Sequence, residues 1–124
     1  MHGKGKLFYD NNNIYYEGDF AENKFNGKGK YIYENGNYYI GSFKNNKKNG
    51  YGEIYNKNGD IIYEGGFARD VFEGEGKYVY DDGSYYVGKF KNGNKHVKGT
   101  MYLEDGKVDY EGKFENDKFI KEDN

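Results

Sequence analysis

Aromatic residues and glycines alternate with charged and amide residues along this chain, and the pattern returns every 23 or 24 residues. A Tyr-x-Gly-x-Phe unit occurs at Tyr16-Gly18-Phe20, Tyr39-Gly41-Phe43, Tyr63-Gly65-Phe67, Tyr86-Gly88-Phe90 and Tyr110-Gly112-Phe114. Before each unit stands a Gly-x-Gly and a short apolar stretch: GKGKLFY from Gly3, GKGKYIY from Gly27, GYGEIYN from Gly50, GEGKYVY from Gly74 and VKGTMYL from Val97. Turn residues separate the two, as DNNN, ENGN, KNGD, DDGS and EDGK. From each Tyr to the start of the next repeat is always 11 residues, so all the length variation falls at these turns. A hairpin tip tolerates insertion; the fixed connection has to hold one repeat against the next.

These elements predict β-structure. Asn-Gly or Asp-Gly between aromatic-rich runs is a strong hairpin signal, because Gly and Asn accept positive φ. Each repeat then reads as one hairpin. Spacings of two put Tyr, Gly and Phe on one face of the second strand. They also put Gly29, Tyr31 and Tyr33 on one face of a first strand, with Leu7, Ile54, Tyr78 and Met101 at the equivalents of Tyr31. A glycine inside a strand weakens it unless something approaches closely. Gly18, Gly41, Gly65, Gly88 and Gly112 are therefore expected to leave room for rings from neighbouring strands. The opposite face mixes Lys28 and Lys30 with Glu17, Ile40, Glu64, Val87 and Glu111, a solvated face with cross-strand Lys–Glu pairs. The expected fold is all-β: a twisted antiparallel meander of about five hairpins and ten strands, roughly 45–50 Å long at ~4.8 Å per strand.

Composition sharpens this picture. Mean hydropathy is -1.20, which by itself fits disorder, yet 20% of the 124 residues are Phe or Tyr. Each ring buries a large area, so a thin core can hold. The chain has no Cys, Pro or Trp, which excludes disulfides, zinc knuckles and thiol nucleophiles. No apolar run approaches the roughly 20 residues that span a bilayer, and MHGKGKLFYD lacks a signal-peptide core. The expectation is one cytoplasmic domain over residues 1–124, with repeats at about 3–26, 27–49, 50–73, 74–96 and 97–120. A net charge of -2 is a poor footprint for nucleic acid.

Candidate chemistry is sparse. The histidines are His2 and His96, and the hydroxyl nucleophiles are Ser42, Ser84 and Thr100, none with a repeated base nearby. No catalytic residue, metal site or cofactor is assigned. Gly-x-Gly precedes a strand rather than a helix, so it is not a phosphate cradle. Asp81-Asp82-Gly83 lacks the spacing of a calcium loop.

The recurring Tyr-x-Gly-x-Phe, polar connector and Gly-x-Gly resemble the MORN repeat (membrane occupation and recognition nexus), from Gly3 to about Ile120. The resemblance implies an elongated antiparallel β-solenoid with stacked aromatics lining a shallow groove. It implies a non-enzymatic scaffold at the cytoskeleton or cell cortex, a peptide-binding module, or an accessory part of lipid kinases and membrane junctions. Three departures stand out. Val97 replaces a Gly, so that junction is expected to be looser or capping. Lys48 and Lys95 stand where Phe25, Phe72 and Phe119 stand elsewhere, so repeats two and four are expected to be less tightly covered. The chain opens almost directly on Gly3-Lys4-Gly5, as a segment of a longer array would; a short complete protein is the alternative.

Two functional readings follow. In the first, Tyr16, Phe20, Tyr39, Phe43, Tyr63, Phe67, Tyr86, Phe90, Tyr110 and Phe114 form a groove for a partner peptide or helix. Pure stacking of these rings on one another is the competing reading. A single sheet has no second layer to bury that face, which keeps ring surface accessible. Phe67→Ala is then expected to cost partner affinity more than stability. In the second, Lys28, Lys30, Lys44, Lys47 and Lys48 contact an anionic membrane or phosphoinositide. Residues 27–49 carry net charge +4, but residues 3–26 and 50–73 carry -1 and -3 and oppose it. Weak membrane contact is therefore expected from this repeat alone. Open strand edges also offer a route to homo-oligomers.

Overall fold

The structure, a computed structural model, describes residues 3–120. It is one antiparallel sheet of eleven strands in chain order. These are β1 (Gly3–Phe8), β2 (Ile14–Ala21), β3 (Lys24–Ile32), β4 (Tyr38–Lys44), β5 (Lys47–Tyr55), β6 (Ile61–Ala68), β7 (Val71–Val79), β8 (Tyr85–Lys91), β9 (Asn94–Tyr102), β10 (Val108–Glu115) and β11 (Lys118–Ile120). The expected meander is present, and no helix occurs among the described residues. The eleventh strand arises because the connector after Phe114 turns the chain back onto β10.

That turn is general. The connectors between repeats, read from sequence as polar links, are themselves tight hairpins. Their tips are Glu22-Asn23, Asn45-Asn46, Arg69-Asp70, Asn92-Gly93 and Asn116-Asp117, and every one of these residues has positive φ. Two successive left-handed residues make the turn whose twist matches a β-hairpin. The tips also tie one repeat to the next. Asn46 N–H donates to the Phe25 carbonyl at 3.0 Å and accepts from Phe25 N–H through its side chain at 2.8 Å. Asp70 does the same with Lys48, and Asp117 with Lys95.

Across the strands, the glycines align in one row: Gly5, Gly18, Gly29, Gly41, Gly52, Gly65, Gly76, Gly88, Gly99 and Gly112 are successive register partners from β1 to β10. The row runs through the fifth repeat, where Val97 still pairs with Phe114. A bulge follows the row between β2 and β3, with equivalents between β4–β5, β6–β7 and β8–β9. Each bulge leaves a carbonyl out of the regular ladder. The tyrosine three residues earlier satisfies it: Tyr16 Oη donates to the Asp19 carbonyl at 2.7 Å, Tyr39 to Ser42 at 2.7 Å, Tyr63 to Gly66 at 2.9 Å and Tyr86 to Lys89 at 2.8 Å.

To reach that carbonyl, the ring lies flat across two glycines. A Cβ on Gly29 would sit 2.7 Å from the Tyr16 ring, and Gly52, Gly76 and Gly99 seat Tyr39, Tyr63 and Tyr86 in the same way. The ring over each glycine pair thus comes from the tyrosine two residues earlier on the same strand and extends over the neighbouring strand. This gives Tyr-x-Gly-x-Phe its physical sense: Tyr supplies the ring and O–H, Gly the seat, the next residue the carbonyl, and Phe the following contact.

Candidate functional site

The aromatic face is built on this row. Tyr16, Tyr39, Tyr63 and Tyr86 are 0% exposed, and Phe20, Phe43, Phe67, Phe90 and Phe114 are 2–6% exposed. Tyr110 is half-buried and packs against the same cluster. Within a repeat, Tyr and Phe meet edge to face, as Tyr63 and Phe67 do at 5.1 Å. Between repeats, Phe43 meets Tyr16 at 5.3 Å, Phe67 meets Tyr39 at 5.1 Å, Phe90 meets Tyr63 at 5.4 Å and Phe114 meets Tyr86 at 5.1 Å. The column is therefore a continuous packed floor, and nine of its ten rings have their surface taken up by one another.

Each buried tyrosine is covered by a residue from the following connector. Phe25 stacks on Tyr16 at 3.7 Å with the planes 5° apart, and Phe72 stacks on Tyr63 at 4.0 Å. In repeats two and four a lysine takes this place. Lys48 Nζ lies 5.7 Å from the Tyr39 ring centre and 5.6 Å from that of Tyr33. It donates to Tyr33 Oη at 3.1 Å and pairs with Asp70 at 3.4 Å. Lys95 repeats this with Tyr86, Tyr80 and Asp117. Looser coverage of repeats two and four is not found: Tyr39 and Tyr86 are as buried as Tyr16 and Tyr63. The lysine stem covers apolar surface while its ammonium reaches polar partners at the rim. Burial pulls the Lys95 pKa down, but the Tyr80 hydrogen bond and Asp117 outweigh it, and the ammonium is held above its ordinary value.

The alternation makes the structural unit two repeats long. Phe25 and Phe72, Tyr33 and Tyr80, Lys48 and Lys95, and Asp70 and Asp117 are each 47 residues apart. The sequence signal was available in the alternation of 23- and 24-residue spacings, but the partners of the lysines were not legible from it. Beside the closed floor stand rings that pack against it on one side and stay half-buried: Tyr31 and Tyr33 in one unit, Tyr78 and Tyr80 in the next. A pocket of about 250 Å³ lies in the second unit between Phe72, Tyr78, Tyr80, Phe90 and Lys95. It is smaller than the 300–1,000 Å³ usual for a small-molecule site and fits a single side chain.

The five lysines of the second repeat do not form one patch. Lys48 is engaged on the aromatic face. Lys30 lies over the Tyr38 ring at 4.6 Å and pairs in register with Glu17, both on the opposite face. Lys28, Lys44 and Lys47 are exposed, and Lys44 and Lys47 are register partners beside the Asn45-Asn46 tip. On the opposite face the expected Glu–Lys rows are present, as Glu17 with Lys30 and Glu64 with Lys77. Among the described residues no group of His, Cys, Asp or Glu is placed to hold a metal ion.

A family model described as the MORN repeat matches residues 1–14, 16–38, 39–61, 63–85 and 86–108. The chain belongs to the MORN-repeat family. The four longer matches open at Tyr16, Tyr39, Tyr63 and Tyr86, so the connector hairpin lies inside each of these four units. MORN repeats are in general non-enzymatic modules of protein or membrane-lipid interaction. No curated protein matches this MORN chain in sequence. Among the described residues no helix is long and apolar enough to cross a membrane.

Proposed function

We infer that this chain is a non-enzymatic interaction module that holds a peptide or helix of a partner protein along its aromatic face, as a scaffold in the cytoplasm or at the cytoskeleton or cortex. The carrying observation is the pair of equivalent tyrosine ledges, Tyr31-Tyr33 and Tyr78-Tyr80, half-open beside a closed aromatic floor and each next to a partly buried lysine whose ammonium bonds the ledge. The ten residues from Tyr16 to Phe114 supply the floor and set its shape. The tyrosine ledges are the surface a partner touches. Tyrosine offers a large rigid contact and a polar tip at low entropic cost, which suits binding anchors.

The test is selection of displayed peptides on the immobilised chain, followed by affinity measurement with the Tyr33→Ala/Tyr80→Ala double variant. Selected peptides should lose most of their affinity for it and keep it for Tyr51→Ala, on the opposite face. Equal loss with both variants, or no enrichment at all, sinks the reading.

A second reading is weak contact with an anionic membrane, supported by the exposed Lys28, Lys44 and Lys47. With Lys30 and Lys48 engaged elsewhere, the attraction rests on three charges at about 1 kcal/mol each. Sedimentation with anionic liposomes should then occur at low salt and fade at physiological salt; persistence there would make lipid the primary ligand.

A further inference from the structure

At three connectors the second tip residue gives a side-chain oxygen to the connector before it. Asn46 Oδ1 accepts from Phe25 N–H at 2.8 Å, Asp70 Oδ1 from Lys48 N–H at 2.7 Å and Asp117 Oδ1 from Lys95 N–H at 2.7 Å. At the equivalent position in the fourth repeat, 47 residues after Asn46, stands Gly93. Its backbone keeps the pattern: Gly93 N–H donates to the Phe72 carbonyl at 2.9 Å, as Asn46 N–H does to that of Phe25. Phe72 stands opposite Phe67 as Phe25 stands opposite Phe20, so its N–H also turns away from the preceding strand and toward the tip. With glycine at position 93, the oxygen that would meet it is missing. A backbone N–H without an acceptor is rare in a folded chain, and it favours an acceptor from outside. The space is open as well. A Cβ on Gly93 would meet nothing nearer than Val71 Cβ at 3.8 Å, and Gly93 and Phe72 wall the pocket of about 250 Å³ that also holds Tyr80, Lys95 and Asp117.

We propose that this pocket seats an asparagine side chain of the partner peptide, its amide oxygen on Phe72 N–H, in the place that Asn46 fills from within the chain in the unit before. The proposal rests on the reading that a peptide lies on this face, and it names the side chain that anchors it. The choice of an amide follows from charge. The two seats on lysine connectors hold carboxylates, Asp70 and Asp117, whereas the seat on a phenylalanine connector holds the amide of Asn46. Phe72 belongs to the second kind. In its pocket the Lys95 ammonium is already matched by Asp117 at 3.4 Å, and beside it the Glu73 carboxylate accepts from Asn92 N–H at 3.4 Å. An incoming carboxylate would bring a further negative charge toward these two. A lysine or arginine carries no acceptor for Phe72. An amide adds no charge, accepts through its oxygen, and has an NH2 to donate to Asp117 or Tyr80 Oη.

Gly93→Asn closes the seat with the chain's own side chain. It should fold, because Asn46 holds a φ of 73° where Gly93 holds 87°. The nitrogen-15-labelled chain is titrated with blocked asparagine (N-acetyl-asparagine N-methylamide) at millimolar concentrations and followed by its amide resonances. The Phe72 N–H resonance should shift saturably while that of Phe25 stays in place. Blocked aspartate should shift it less, and in Gly93→Asn the response to asparagine should vanish. Peptides selected on the parent chain should bind Gly93→Asn about tenfold more weakly or worse, the cost of one hydrogen bond and its seat. Equal responses of Phe72 and Phe25, a stronger response to aspartate, a response that survives Gly93→Asn, or selected peptides that bind the variant as tightly as the parent overturn the proposal. A Phe72 response to asparagine where no peptide can be selected supports the seat and sinks only the peptide reading, so the two fail separately.

Discussion

The Lys48 ammonium lies 5.7 Å from the centre of the Tyr39 ring, in the place where Phe25 stacks on Tyr16 in the repeat before. One repeat closes its tyrosine with an apolar ring, and the next closes it with a cation. The cation is admissible because Tyr33 Oη and Asp70 stand at the rim to receive it. A buried charge without such partners would shed its proton or stay out in water.

Lys48→Ala should therefore lower stability by about 1–3 kcal/mol, from lost packing, a lost cation–π contact and a hydrogen bond left unmade. Lys48→Phe should keep most of the stability, because Phe is the native solution in the neighbouring repeats. Thermal melts of the two variants check this. Equal losses would show that the Asp70 and Tyr33 contacts matter and the cover over Tyr39 does not.

The two kinds of glycine separate cleanly. At Gly52 an added Cβ would drive into the Tyr39 ring, whereas at Gly74 nothing lies within 4 Å and only its φ of +80° resists substitution. Gly52→Ala should cost about 3 kcal/mol or more by forcing the ring off its seat. Gly74→Ala should cost about 1 kcal/mol from backbone strain alone. Urea titration distinguishes them, and near-ultraviolet dichroism should change only for Gly52→Ala.

What the sequence could and could not reveal follows the same division. The repeated Tyr-x-Gly-x-Phe, the two-residue spacing and the Asn-Gly turns were sufficient for strands, faces and the meander, since each is a local rule. The connector hairpins were hidden because tips such as Arg69-Asp70 carry no glycine; tertiary pairing with Lys48 holds them in the left-handed region. The burial of the column was hidden for another reason. Whether Phe67 faces a partner or Tyr39 depends on how far the next repeat reaches, which spacing does not encode.

Phe67 itself supplies the sharpest reversal. At 4% exposure, packed against Tyr39, Tyr63 and Phe72, it has almost no surface left for a ligand. Phe67→Ala should now act on stability first, costing about 3–5 kcal/mol, the range for truncating a buried aromatic ring. A melting temperature close to that of the parent chain would contradict the packed floor and restore Phe67 as a contact residue.

The buried tyrosines also make the fold sensitive to alkali. Burial, with the nearby Asp19 carboxylate, pushes the Tyr16 hydroxyl up to about 12; burial, with Glu75, does the same for Tyr86, and burial also raises Tyr39 and Tyr63. Below pH ~10 both folded and unfolded chains hold these protons, and the contribution to stability is complete. Above pH ~10 the unfolded chain releases them while the folded chain does not, so stability falls as pH rises toward the folded values. Each such tyrosine contributes a slope approaching about 1.4 kcal/mol per pH unit. Urea titrations at pH 8, 10 and 11 should show a small loss by pH 10 and a steeper one between pH 10 and 11. Tyr63→Phe leaves the Gly66 carbonyl without its donor and should lower stability by about 1–2 kcal/mol at neutral pH. The same variant should fall less steeply in alkali, by the slope of one proton. If the folded chain instead titrates these four tyrosines near pH 10 by ultraviolet absorbance, with no change of slope in Tyr63→Phe, their hydroxyls are not sealed against the bulge carbonyls.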